Sequence, residues 1–159
     1  MAPEPQLTGD LPDVNVWLAL TVTEHPHHAA AQAYWHEVSA ARVLFNRVTM
    51  LGLVRLLMQP KVMGSAAFDA AQAWARYRLW RALPEVGSQE ETAAVASRLE
   101  QTLAELCTPA LPARLFTDAY LAAFAQAAGL RLVTFDRDFR RFANQGAVVL
   151  MLGPSESVI

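Results

Sequence analysis

Cysteine is all but missing: the chain of 159 residues holds one, Cys107. No internal disulfide can form, and no Cys/His cluster has the spacing of zinc ligands, so a reduced, cytoplasmic setting is expected. Lysine is equally scarce, since Lys61 stands alone among 13 basic residues and the other twelve are Arg. No apolar run reaches the roughly 18–20 residues of a membrane helix. The opening MAPEPQLTGDLPDVN has neither the basic nor the apolar region of a secretory signal, so no membrane association is expected. Net charge is small, with 13 bases against 15 acids giving −2, which argues against an indiscriminate nucleic-acid coat. What the chain does have is a hydrophobic content of 53% with only 18% charged residues. That balance excludes intrinsic disorder and, at this length, fits one domain with a sizeable core.

The charges are unevenly placed. Residues 1–41 carry five acids and no Lys or Arg, whereas residues 42–81 carry seven bases against the single acid Asp69. Residues 82–118 are acidic again, with six acids to two bases. Arg suits forked recognition of phosphate better than Lys does, so the basic stretch reads either as a solvated helix face or as a phosphate-facing surface.

Hydrophobic periodicity divides the chain into alternating strands and helices. Residues 11–13 read as the end of a short strand, with Pro12 tolerated only at its terminus. Helices are expected over 26–38, 50–58 (stopped by Pro60), 68–83, 90–106 and 116–128, the last apolar nearly all round and closed by Gly129. Brief strands are expected at 43–45, 130–135 and 147–152, with a turn and short helix over 136–142. Strands separated by helices imply crossover connections and a mainly parallel sheet covered on both faces. A loose N-terminal segment (1–10), a single domain (11–152) and a C-terminal tail (153–159) complete the expected organisation.

Three acids fall at element ends, where open α/β sheets build their sites. Asp13 closes the first strand, Asp136 follows the strand at 130–135, and Asp118 lies in the first turn of the apolar helix behind Thr117, read as its N-cap. They are 105 and 18 residues apart in sequence. Each alone could be a helix or turn cap. Together at one sheet edge they would repel and raise one another's pKa, a cost that a hard divalent cation such as Mg²⁺ removes.

At these residues a family resemblance enters. The segments LPDVNVWLAL (11–20), VTMLGLVRLLMQPKVMG (48–64) and LFTDAYLAAFAQAAGLRLVTFDRDF (115–139) resemble a PIN-domain ribonuclease of the VapC type, the toxin of bacterial toxin–antitoxin pairs. The likeness runs from about residue 11 to residue 150, and its most specific part is TDAYLAAFA followed by a strand and TFDRDF. The resemblance implies a three-layer α/β/α sandwich, RNA cleavage dependent on Mg²⁺ (or Mn²⁺), homodimerisation and inhibition by a cognate antitoxin protein. Carried over by position, Asp13, Asp118 and Asp136 are the family's acids, with Asp13 and Asp118 toward the metal. Asn15 and Thr117 match small polar residues beside them. One position departs: six residues after Thr49, where the family usually has Glu, stands Arg55, and no acid lies between residues 43 and 64 to replace it. Arg55 could hold substrate phosphate, and a second metal, which needs shared acids, is put in doubt. The role of Asp138 stays open.

Other features carry less. His25, His27, His28 and His36 read as the start of a solvent-facing helix. Trp74, Tyr77 and Trp80 form a stripe that suits either core or interface. Cys107 has no partner for nucleophilic chemistry. Two other readings remain. One is a catalytically weakened PIN-like module that binds RNA or protein, motivated by Arg55. The other, a phosphatase of the haloacid-dehalogenase type, would need a second Asp where Asn15 stands.

Overall fold

In the computed structural model, residues 6–106 and 111–153 are described; Cys107 and residues 154–159 of the expected tail lie outside them. Five strands form one parallel sheet in the order β3-β2-β1-β4-β5, with β1 Gly9–Pro12, β2 Val43–Phe45, β3 Val86–Ser88, β4 Leu130–Thr134 and β5 Val149–Met151. Two clusters of buried side chains, one on each face of the sheet, make the expected three layers. Val43, Phe45 and Val133 pack on one face with α1 (Val14–Thr21), α3 (Arg47–Leu57) and α5 (Ala70–Arg81). Leu11, Leu44, Leu130 and Leu132 pack on the other with α6 (Ala93–Glu105) and α7 (Phe116–Ala128). Neighbouring residues of one strand serve opposite cores, as the two-residue period of a strand requires. Among the described residues no helix is long and apolar enough to cross a membrane.

Several boundaries differ from the sequence reading, each for a physical reason. Strand β1 begins at Gly9, so the segment expected to be loose already contributes Asp10, whose buried carboxylate takes both Nε and Nη2 of Arg131 (2.8 and 2.9 Å) and the Tyr34 hydroxyl (2.7 Å). Pro12 is the last residue of this central strand; the N–H it lacks is on the side where Asp10 donates to the Arg42 carbonyl of the β2 side (2.9 Å), and pairing with β2 is short, with Asp10 opposite Val43. The edge strand β3 escaped notice because Val-Gly-Ser has one buried side chain and turn-like composition. Helix α3 starts at Arg47 rather than residue 50, because Asn46 and Thr49 form a reciprocal capping box. The helix expected over 26–38 is a short α2, His28–Ala33, continued by one π-helical turn, Tyr34–Val38, and Pro60, expected to stop the next helix, opens a short α4, Pro60–Met63. The aromatic stripe divides. Tyr77 meets Phe45 edge-on at 5.0 Å, Trp80 packs against Trp17 and Trp35, and Trp74 remains 44% exposed. Core packing therefore takes two of its three rings.

Candidate active site

The carboxyl ends of the strands lie along one edge of the sheet. The chain leaves β1 and β4 there in opposite directions, the crevice in which open α/β sheets hold ligands. Asp13 follows β1 directly and caps α1: its Oδ1 accepts the backbone N–H of Asn15 (2.9 Å) and Val16 (3.1 Å). Its Oδ2 accepts the hydroxyl of Thr134, the last residue of β4. The Thr134 oxygen in turn accepts the N–H of Asp136 at 2.9 Å. One buried hydroxyl thus ties the first acid to the loop that carries the third.

Asp118 reaches the same place from the first turn of α7. A cleft of about 320 Å³ is lined by Asp13, Asn15, Arg55, Thr117, Asp118 and Asp136, together with apolar side chains including Leu51 and Leu121. All six residues singled out in the sequence are brought together. The role expected of Thr117 as N-cap is not: α7 begins one residue earlier at Phe116, a 3₁₀ turn over Ala113–Leu115 leads into it, and Thr117 is an exposed rim residue. Asp138 also turns away from the cleft, to an ion pair with Arg114 at 2.7 Å. None of the four histidines lines the cleft. His28 Nδ1 bonds the Ala19 carbonyl (2.7 Å), and the His27 ring stacks on Phe135.

Arg55 arrives by close helix packing. A Cβ on Gly52 would meet Val14 Cγ2 at 2.7 Å, so α3 lies tight against α1 only because that position has no side chain. This brings Arg55, one turn on, to the rim. Among the described residues Arg55 has no carboxylate within ion-pair distance, which leaves its guanidinium for an anion.

The electrostatics follow from crowding. Burial raises the Asp13 carboxyl to about 6, opposed by its hydrogen bonds from Thr134, Val16 and Asn15. Asp118, half-buried, is pushed up to about 7, first by burial and then by the charges of Asp136, Asp13 and Asp138. These effects overcome the pull of the helix N-terminus, which favours the ionised form. A carboxylate has about four lone-pair directions; Asp13 uses three, whereas Asp118 accepts no hydrogen bond from the described residues. Among the described residues no group of three or more His, Cys, Asp or Glu side chains is placed to hold a metal ion. The acids that line the cleft offer oxygen donors only, a chemistry that fits a hard divalent cation that takes one or two carboxylates and completes its shell with water and phosphate. A larger cavity of about 670 Å³, at the opposite edge of the sheet beside Arg98 and Gln145, contains no acid.

Sequence reasoning missed Thr134, although it was visible as the Thr two residues before Asp136 in the strand that was recognised. It also missed Gly52, whose close contact had no local signal.

The geometry has counterparts among known proteins. Residues 11–145 match the PIN domain model. Ribonuclease VapC41 of Mycobacterium tuberculosis is 35% identical over 135 residues, 82% of this chain and 90% of the relative. Ribonuclease VapC39 of the same organism is 30% identical over 152 residues, 87% and 96% of the two chains. Among solved structures, Mycobacterium tuberculosis VapC20, described as a sarcin-ricin loop cleaving toxin, superposes with a TM-score of 0.62 at 22% identity over 87% of this chain and 95% of that one. VapBC-1 of nontypeable Haemophilus influenzae does so with a TM-score of 0.64 at 13% identity over 89% and 96%. With the sheet order, the strand-edge acids and these matches together, the chain belongs to the PIN-domain family, among its VapC ribonucleases.

Proposed function

We propose that this protein is a divalent-metal-dependent endoribonuclease that works in the cytoplasm as the toxin of a toxin–antitoxin pair, with Mg²⁺ (or Mn²⁺) as its metal. The observation that carries the reading is the convergence of Asp13, Asp118 and Asp136 on one cleft, with two of the three carboxyl groups held near neutral pKa by burial and mutual repulsion. Such a site gains most from a cation.

Asp13, through its remaining lone pair, and Asp118 would hold the ion. When bound, the ion supplies charge neutralisation and Lewis acidity toward a phosphoryl oxygen. Everything else falls to the chain. Thr134 locks the Asp13 carboxylate, so the ligand does not swing. Asp136 spends Oδ1 on the Asp138 N–H (2.9 Å) and keeps Oδ2 to orient the attacking water and accept its proton. Asn15 and Thr117, both in the lining of the cleft, present polar groups to the substrate, and Arg55 offsets phosphate charge where the family usually has Glu. Water adds to phosphorus, the bond to the 3′-oxygen breaks, and that oxygen takes a proton, leaving a 3′-hydroxyl and a 5′-phosphate.

The cognate antitoxin and a second copy of the chain are the proposed partners. Leu51 and Phe116, each 51% exposed, are apolar surface that such partners could cover. Arg55 also favours a second reading, a PIN-like module that binds RNA without cutting it. Expression of the chain alone, with and without Asp118→Asn, separates the two. Growth arrest with new RNA ends that appear only with the parent sequence and only with divalent metal supports the enzyme; arrest without new ends, indifferent to Mg²⁺, supports the module.

A further inference from the structure

A second groove, of about 480 Å³, opens beside the acidic cleft, and the two share Val48 and Leu51 in their walls. Asn46 lines it, following β2 as Asp13 follows β1, and so do Ser88 at the end of β3 and residues 89–91 beyond it. The grooves are successive stations along one sheet edge. Asn46 is only 1% exposed. Its Oδ1 caps α3 by accepting the Thr49 N–H at 2.9 Å, which fixes the orientation of the amide. Its Nδ2 is buried and has no hydrogen-bond partner among the described residues. Capping needs only the oxygen, and Ser or Asp would supply one equally well without an orphaned donor. Buried donors in folded proteins are nearly always satisfied, so this one calls for an acceptor.

The rest of the groove indicates what brings it. Tyr120 contributes an aromatic wall, and its hydroxyl donates to Glu91 at 2.7 Å. Glu90 and Glu91 repel phosphate but accept from amino and hydroxyl groups, while Arg47 adds one positive charge to the lining. An aromatic side chain, an unpartnered amide donor and carboxylate acceptors match a nucleobase, which stacks on aromatic rings and is read by hydrogen bonds along its edge. Resting on the ribonuclease reading above, we propose that this groove seats the base flanking the cleaved phosphodiester and that Asn46 Nδ2 donates to a carbonyl or ring-nitrogen acceptor on it. Asn46 is then a residue that selects the cleaved sequence.

The test is cleavage of an RNA oligonucleotide pool randomised around the cut, by the full chain and by its Asn46→Ser and Tyr120→Leu variants. Asn46→Ser keeps a capping oxygen and loses the amide donor. The expected result is that base preference at one flanking position falls by about tenfold, the size of one lost discriminating hydrogen bond, while overall cleavage of the pool changes less. Tyr120→Leu should raise KM for the same position and carries the test if Asn46→Ser does not fold. Unchanged preference in variants that still cut overturns the subsite and leaves the nuclease standing. If the parent binds RNA without cutting, competition among labelled pentanucleotides reads the same preference; if it neither cuts nor binds, both proposals fall.

Discussion

Asp13 and Asp118 are both carboxylates in one cleft, but they stand on different footings, and their substitutions should differ accordingly. Asp13 is a structural cap as well as a ligand candidate, bonded to two backbone N–H groups and to Thr134. Asp13→Ala should lose cleavage and also destabilise the fold, by about 1 kcal/mol for the cap alone. Among the described residues Asp118 accepts no such bonds, and burial and like charge push it up to about 7. Asp118→Asn should therefore lower cleavage by at least about a hundredfold while leaving the metal-free protein as stable or more stable at pH 8, read as melting temperature. A loss of melting temperature as large as that of Asp13→Ala would contradict this division of roles. Arg55 makes no ion pair among the described residues, so Arg55→Ala should weaken RNA binding evenly across sequences and lower the salt dependence of log K by about one ion. An unchanged salt slope would remove Arg55 from the phosphate path.

At the scale of elements, the cleft depends on how closely α1 and α3 approach. Gly52→Ala would drive a methyl group into Val14, a short and stiff neighbour, at 2.7 Å. The expected cost is about 1–3 kcal/mol, measurable by urea denaturation, with a parallel loss of substrate affinity as Arg55 shifts. Elements with strong local signals were legible beforehand. The buried helix ending at Gly129, whose φ of 67° suits a residue without Cβ, was read to the residue. Strand β3 was not, because three residues with one buried side chain leave no periodicity to detect. The π-helical turn after α2 was invisible for another reason: its sequence is as compatible with an ordinary helix, and the bond its Tyr34 hydroxyl donates to Asp10 joins residues 24 apart in sequence.

For the whole molecule, the acids make stability depend on pH and on metal. Asp13 and Asp118 titrate near 6 and 7 in the folded chain, above the ordinary 3.8. Folding therefore favours their protonated forms. Their contribution to stability is complete below about pH 4 and lost as pH rises through about 6 and then 7. Metal-free protein should melt higher at pH 5 than at pH 8 as far as these groups decide it, by about 2–4 °C per kcal/mol recovered in a chain of this size. Mg²⁺ at pH 8 should restore the loss, and its affinity should fall as the ligands protonate below pH 7. Calorimetry across this range checks the sign. A melting temperature indifferent to Mg²⁺ at pH 8 would count against the metal site.

The residues alone determined the layer architecture, because alternating apolar periods of strand and helix admit few packings, and they marked the three acids, because each sits at the end of an element. They also exposed Arg55 as a departure from the family pattern. Only the tertiary structure decided that positions 13, 118 and 136 share one cleft and that Thr134 joins two of them. It also decided that Thr117 lies on the rim rather than at the cap, and that Asn46 keeps an unused donor next door. Local signals act over a few residues, whereas convergence across more than a hundred is set by strand order and helix packing, which no short stretch of sequence contains.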